Sequence, residues 1–222
     1  DPPAVFPDYY TVPEDSSVAV SATDGILIND IDPEGDPITA VLIDDVDHGI
    51  LSFDSDGSFF YRPAPDYSGI DQFIYRAVDD EGMYSEVGTV TIGVNATNDI
   101  PIAFNDSYSM SEDDTLAVLD SLGVLINDID ADPDQILSSI LISNVSHGTL
   151  FTSDSVPEQI IVGNVFNGLF LYSPDENYYG TDQFIYAAFD GYAQSNLDTV
   201  SITVDPVNDV PELVILDQET DE

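Results

Sequence analysis

Oxygen donors recur in this chain at matching places. Glu14 in "VPED" is answered by Glu112 in "MSED", and Asp30 and Asp32 in "NDID" by Asp128 and Asp130 in a second "NDID". Asp79 follows an apolar run in "AVDDEG", and Asp190 does so in "AAFDG". Asn98 and Asp99 in "NATNDIP" return as Asn208 and Asp209 in "DPVNDVP". Carboxylates at i and i+2 in a loop can point toward one centre, and backbone carbonyls can complete a shell around it. A shell of about six to eight hard oxygens in irregular array suits calcium better than zinc or copper. Assembling such a cluster without a cation is costly, since two carboxylates about 4 Å apart repel by ~1 kcal/mol in water and ~4 kcal/mol at an effective dielectric near 20.

Composition narrows the partners. The chain has 44 Asp plus Glu, and its only cationic side chains are Arg62 and Arg76, for a formal charge of -42. Nothing is available to neutralise phosphates, so ordinary nucleic-acid partners and anionic membrane contact by this segment are excluded. Such charge can signal disorder, but 43% of the residues are hydrophobic and 23 are Phe or Tyr, enough to bury cores. The charge also keeps chains apart, and fits salty, calcium-rich surroundings. Without Cys there is no disulfide framework and no thiolate site. No apolar run approaches a membrane span, and "DPPAVFPDYY" lacks the regions of a signal peptide. The sequence reads as a piece of a longer chain, expected outside the cell, at its surface or secreted.

An internal repeat organises these residues. "GILINDIDPEGD" at 25–36 returns as "GVLINDIDADPD" at 123–134, "HGIL" as "HGTL", and "GIDQFIYRAVD" at 69–79 as "GTDQFIYAAFD" at 180–190. The copies are 98 residues apart at Glu14 and 110 apart at Asn98, so the second holds an insertion around residues 152–168. The expected units are 1–98 and 99–208, with a third beginning over 209–222.

Strands must position the oxygen donors. "FIYRAV" and "TVTIGV", with their copies "FIYAAF" and "TVSITV", are β-branched and aromatic, and no segment shows sustained helical periodicity. In "LSFDSDGSFFY", Asp56 and Gly57 predict a hairpin turn. In the second unit the hairpin is lengthened, with "GNVFNGLFLY" expected to restore the return strand. About seven strands in ~100 residues, punctuated by Gly, Pro and Asp, predict an all-β chain of antiparallel sandwiches. Each unit passes from a strand through Asn and Asp to a Pro, a connector too short and too poor in Gly and Ser for a flexible link.

The order of these motifs resembles cadherin repeats, and more closely the cadherin-like repeats of large bacterial surface proteins. Both units open with Pro, an aromatic and then a Glu ("PPAVFPDYYTVPED"), carry the "NDID" loop, then "AVDDEGMYSEVGTVTIGV", and end in "NATNDIP". The resemblance implies two tandem seven-stranded Greek-key sandwiches of cadherin or immunoglobulin type, with Ca2+ at their junctions. It departs from the family in a linker one residue shorter, in Ala96 and Pro206, and in lacking a DRE triplet, near whose place Asp66, Asp71, Asp175 and Asp182 fall. The implied ligands of a full junction are Glu14 with Asp66 or Asp71, then Asn98 and Asp99, then Asp128, Asp130 and Asp190. Asp1, Asp30, Asp32 and Asp79 would form an upper half site, and Glu112, Asp175, Asp182, Asn208 and Asp209 a lower one. Alternatively the loop "DIDPEGD" holds an ion, with Asp36 joining Asp30 and Asp32.

Simpler roles are also open to these residues. Asp in loops commonly caps turns, His48 and His147 precede Gly as turn or packing residues, and the aromatic runs belong to cores. Asn95, Asn105 and Asn144 head NxS/T triplets that matter only where the source glycosylates. No nucleophile elbow, HExxH or phosphate-binding Gly loop occurs, so no enzymatic role is expected. The resemblance implies calcium-rigidified extender repeats of a bacterial cell-surface adhesin, whose partners are the neighbouring repeats of one long chain. The alternative is calcium-dependent recognition of polysaccharide or of another cadherin-like repeat, for which the loop at 156–167 is the expected added surface.

Overall fold

The computed structural model describes residues 1–119, 122–153 and 156–209. The expected third repeat therefore lies, apart from Asp209, outside the described residues. Two compact units divide the chain, Asp1–Asn98 and Asp99–Glu222.

Unit 1 contains seven strands: β1 (Asp8–Pro13), β2 (Val18–Val20), β3 (Thr39–Asp44), β4 (Gly49–Phe53), β5 (Phe59–Pro63), β6 (Gly69–Val78) and β7 (Gly88–Asn95). One sheet has the order β1-β7-β6-β3 and the other β2-β5-β4, the crossed order of a Greek key. Alternation places Phe73, Tyr75, Val90 and Ile92 in the interior with no exposed surface, joined by Phe59 and Tyr61 from the facing sheet. Phe59 and Phe73 meet edge to face at 5.4 Å. One departure from the antiparallel expectation is that β1 pairs with β7 in parallel, Asp8 beside Val90 through Pro13 beside Asn95. The hairpin between β4 and β5 turns where expected, at Gly57 with φ +84.

Unit 2 repeats the plan with β8 (Asp106–Ser111), β9 (Leu116–Val118), β10 (Ser138–Ser143), β11 (Gly148–Thr152), β13 (Phe170–Pro174), β14 (Gly180–Phe189) and β15 (Gln194–Asp205). The insertion adds β12 (Val165–Phe166). Here the sequence reading is corrected. "FLYSP" is the return strand β13 paired with β11, but Val165 and Phe166 cross to the other sheet and pair with Ile140 and Ser139 of β10. The sheet orders become β12-β10-β14-β15-β8 and β11-β13-β9. The crossing is driven by burial, since Ile160 and Phe166 leave solvent and join the core of Leu141, Leu150, Phe170 and Tyr172.

Candidate metal centre

At the end of each unit where its first residues lie, the chain is tied to the acidic loop by a bridge, Ala4 to Ile31 in unit 1 and Ile102 to Ile129 in unit 2. The loop after Ile31 turns on Asp32, whose Oδ1 accepts N–H groups from Glu34 at 2.9 Å and Asp36 at 3.2 Å. Asp32 is only 8% exposed, and its other oxygen, Oδ2, is buried with no hydrogen-bond donor. In unit 2, Asp130 Oδ1 accepts from Asp132 N at 2.9 Å, and its Oδ2 is likewise buried without a donor. A carboxylate oxygen stripped of water and given no donor is expensive, and its position suits a cation.

More carboxylates converge on the same end. Thr39 pairs with Val78, so the loop before β3 lies beside Asp79, which follows β6 and is 7% exposed. Asp79 holds its own turn by accepting from Met83 N at 2.8 Å. Loss of water, then the charges of Asp80, Asp32, Glu34 and Asp79, raise the pKa of Asp36. Ser138 pairs with Phe189, which sets Asp190 in the matching place, where it accepts from Tyr192 N and Ala193 N. The first residue of each unit enters alike. The amino group of Asp1 meets Glu34 Oε2 at 2.8 Å, and the backbone N–H of Asp99 meets Asp132 Oδ2 at 2.9 Å. Carboxylate oxygens of Asp99 and Asp132 lie within 4.8 Å of each other. Asp132 was not among the sequence candidates.

Asp30 and Asp128 are aimed elsewhere. Asp30 Oδ1 accepts from Phe6 N at 2.9 Å and its Oδ2 from the Tyr75 hydroxyl at 2.8 Å. Asp128 takes Phe104 N at 2.9 Å and the Tyr186 hydroxyl at 3.0 Å. Beside them lie Asp8 and Asp106, which sequence reasoning missed although they recur 98 residues apart. Burial, and then the charge of Asp30, lifts the pKa of Asp8 to about 6; burial, and then Asp128, lifts that of Asp106 to about 7.

At the opposite end of each unit, β1 delivers Glu14 against the end of β7: Glu14 N donates to Asn95 O at 2.8 Å, and Thr97 N donates to Glu14 Oε1. Glu112 repeats this with Asp205 O and Val207 N, and both glutamates are 4% exposed. Next to Glu14 in sequence, Asp15 accepts from Asp66 N at 3.4 Å, and carboxylate oxygens of Asp15 and Asp66 lie within 4.8 Å of each other. Both have positive φ, as do Asp113 and Asn177 in unit 2. The equivalent of Asp66 is therefore Asn177. Asp175 instead matches Ala64, each donating its N–H to the carbonyl of the preceding His.

Asp71 and Asp182 are fold residues by their contacts. Asp71, 3% exposed, accepts from Asp47 N, His48 N, Gln72 N and the Tyr61 hydroxyl. Asp182 accepts from Ser146 N, His147 N, Gln183 N and the Tyr172 hydroxyl. Among the described residues, neither forms a carboxylate cluster with Glu14 or Glu112. His48 and His147 stack on Tyr67 and Tyr178 with centroids 4.3 Å apart, as packing residues. Asn98, Asn208 and Asp209 are exposed in the segments that follow β7 and β15.

The comparisons agree with this plan. The sequence matches the bacterial cadherin-like domain over residues 1–96 and again over 98–206. Among curated proteins it is 32% identical over 148 residues to integrin beta-like protein A of Dictyostelium discoideum, 62% of this chain but only 7% of that protein. Integrin beta-like protein E of the same organism is 26% identical over 152 residues, covering 64% of this chain and 8% of that one. In fold it is similar to human mucin-like protocadherin EC1-2, with a TM-score of 0.56 at 18% identity over 92% of this chain and 98% of that one. Drosophila N-cadherin EC1-4 gives a TM-score of 0.57 at 14% identity, over 90% of this chain and 49% of that one. The chain belongs to the bacterial cadherin-like domain family and carries two of its repeats in tandem.

Proposed function

We propose that these repeats are calcium-stiffened extenders of a bacterial cell-surface adhesin, lying outside the cell and acting without catalysis. In unit 1, Asp32, Asp36 and Asp79 would hold an ion at the first-residue end. In unit 2, Asp130, Asp190 and Asp99 would do so. The glutamate ends, Glu14 with Asp66 and Asn98, and Glu112 with Asn208 and Asp209, would supply the other half of each junction between successive repeats. Calcium supplies charge neutralisation and a fixed anchor, so loops that repel without it would be drawn together and a hinged chain would stiffen.

One observation carries this reading: the same buried carboxylate oxygen, on Asp32 and on Asp130, has no donor in either unit. An oxygen donor set without sulfur or imidazole fits calcium. Titration of calcium into the chelated chain is expected to release heat and to raise the melting temperature, with a gain of about 2.7 kcal/mol at 100 times Kd. Asp130→Asn should weaken binding at least tenfold. Absence of heat in the unsubstituted chain would overturn the reading. Small-angle scattering tests the stiffening, which requires the maximum dimension to change on chelation.

A further inference from the structure

The edge strand of unit 1 that corresponds to the insertion-covered edge of unit 2 leads beyond calcium. In unit 2, Leu141 N donates to Asn164 O at 3.1 Å, and Gly163 N donates to Leu141 O at 2.7 Å. β12 then continues the pairing along β10. The same position in unit 1 is Leu42, since Leu42 pairs with Tyr75 as Leu141 pairs with Tyr186. Unit 1 has no insertion. Its β3 is the last strand of its sheet, and Ala40 N reaches Ser55 O at 2.8 Å, but among the described residues no backbone group answers Leu42 along that edge. The neighbouring side chains are correspondingly open: Val41 and Ile43 are 39% and 52% exposed, whereas Ile140 and Ile142 are half-buried.

We propose that the β3 edge of unit 1 is a strand-addition site for an extended basic peptide segment of another protein. Backbone pairing at such an edge supplies affinity, and alternate side chains supply selectivity. The covered edge of unit 2 shows the pairing pattern that this edge of the fold accepts. Charge chooses the occupant. Asp44, Asp45, Asp47 and Asp54 are all exposed beside the open edge, favouring a strand bearing Lys or Arg and opposing a second copy of this chain. The proposal does not rest on calcium binding, and its test is run at one fixed calcium concentration.

The probe is a fluorescent peptide of alternating Lys and Val, compared with the same peptide N-methylated at alternate residues to remove the pairing N–H groups. With the full chain, the unmethylated peptide is expected to bind at least tenfold more tightly, and exchange of the Leu42 amide to slow at least tenfold while that of Leu141 is unchanged. Asp44→Asn with Asp47→Asn should weaken binding severalfold. Equal binding of the two peptides would reduce the effect to general attraction by an acidic chain and overturn the proposal. So would no binding, or binding without Leu42 protection. Sedimentation of the chain alone supplies the last arm: a concentration-dependent dimer that protects Leu42 would make a second copy the occupant and defeat the basic-peptide assignment.

Discussion

Units 1 and 2 agree at their ends and differ along one flank. Both ends repeat their main features, from the donor-free oxygen of Asp32 and Asp130 to the glutamates held on the terminal strand, although Asn177 stands where unit 1 has Asp66. Along the flank the gap between the two sheets is filled in different ways. Unit 1 uses Phe53, which meets Phe73 edge to face at 5.9 Å. Unit 2 has Thr152 at that position and uses Ile160 and Phe166 from the insertion, with Leu141 and Leu150 then fully buried. Leu42 and Leu51 of unit 1 are only partly buried. The comparison teaches that packing at the flank can be rebuilt while the chemistry of the ends is kept, because both units share the long strand pairs β6 with β7 and β14 with β15 and the bridges, Ala4 to Ile31 and Ile102 to Ile129, that hold the end loops.

The largest test of that contrast is Phe166→Ala. Removing a buried ring should destabilise unit 2 by about 3 to 5 kcal/mol and leave unit 1 untouched, which hydrogen exchange resolved by unit would measure. Phe53→Ala is the reciprocal change and should act on unit 1 alone; equal effects in both units would break the comparison. A smaller difference separates the paired leucines. Leu141→Ala is expected to cost about 2 to 5 kcal/mol and Leu42→Ala less, since partly exposed methyl groups lose less on removal. By contrast Tyr61→Phe and Tyr172→Phe should cost the two units the same, about 1 to 3 kcal/mol, because each leaves a buried carboxylate short of one hydroxyl donor.

The smallest effect depends on pH. Asp8 and Asp106 have folded-state pKa values raised to about 6 and about 7, so folding favours their protonated forms. That contribution is complete below the ordinary carboxylate range near 4 and is lost as pH rises through the folded values. Asp106→Asn should therefore stabilise unit 2 at pH 8 by about 1 kcal/mol, a figure reduced for the water that reaches this half-buried group, and the gain should shrink steadily as pH falls from 7 toward 4. Asp8→Asn should act in the same direction over a window about one pH unit lower. A gain as large below pH 4 as at pH 8 would remove the titration as its cause.

Much of the site was legible in sequence because recurrence at matching positions marks residues under a shared constraint. Glu14, Asp32, Asp79 and their copies are all found at unit ends. Asp30 was not separable from Asp32, since both lie in one loop two residues apart; the choice is made by the Tyr75 hydroxyl, 45 residues away. Asp71 was equally ambiguous until its four donors were placed around it. Asp175 was misaligned because the insertion changes the spacing between copies, and positive φ at Asp66 and Asn177 restores it.

By itself the sequence determined that the chain is acidic, β-rich and duplicated, with oxygen donors between its strands, because composition, alternation and repeats are properties of residues taken in order. Only the tertiary structure decided which carboxylates face the ends and which are held by buried tyrosines, and that the insertion crosses from one sheet to the other. Those outcomes depend on donors and apolar surfaces brought together from distant parts of the chain, and on the free energy of excluding water from them.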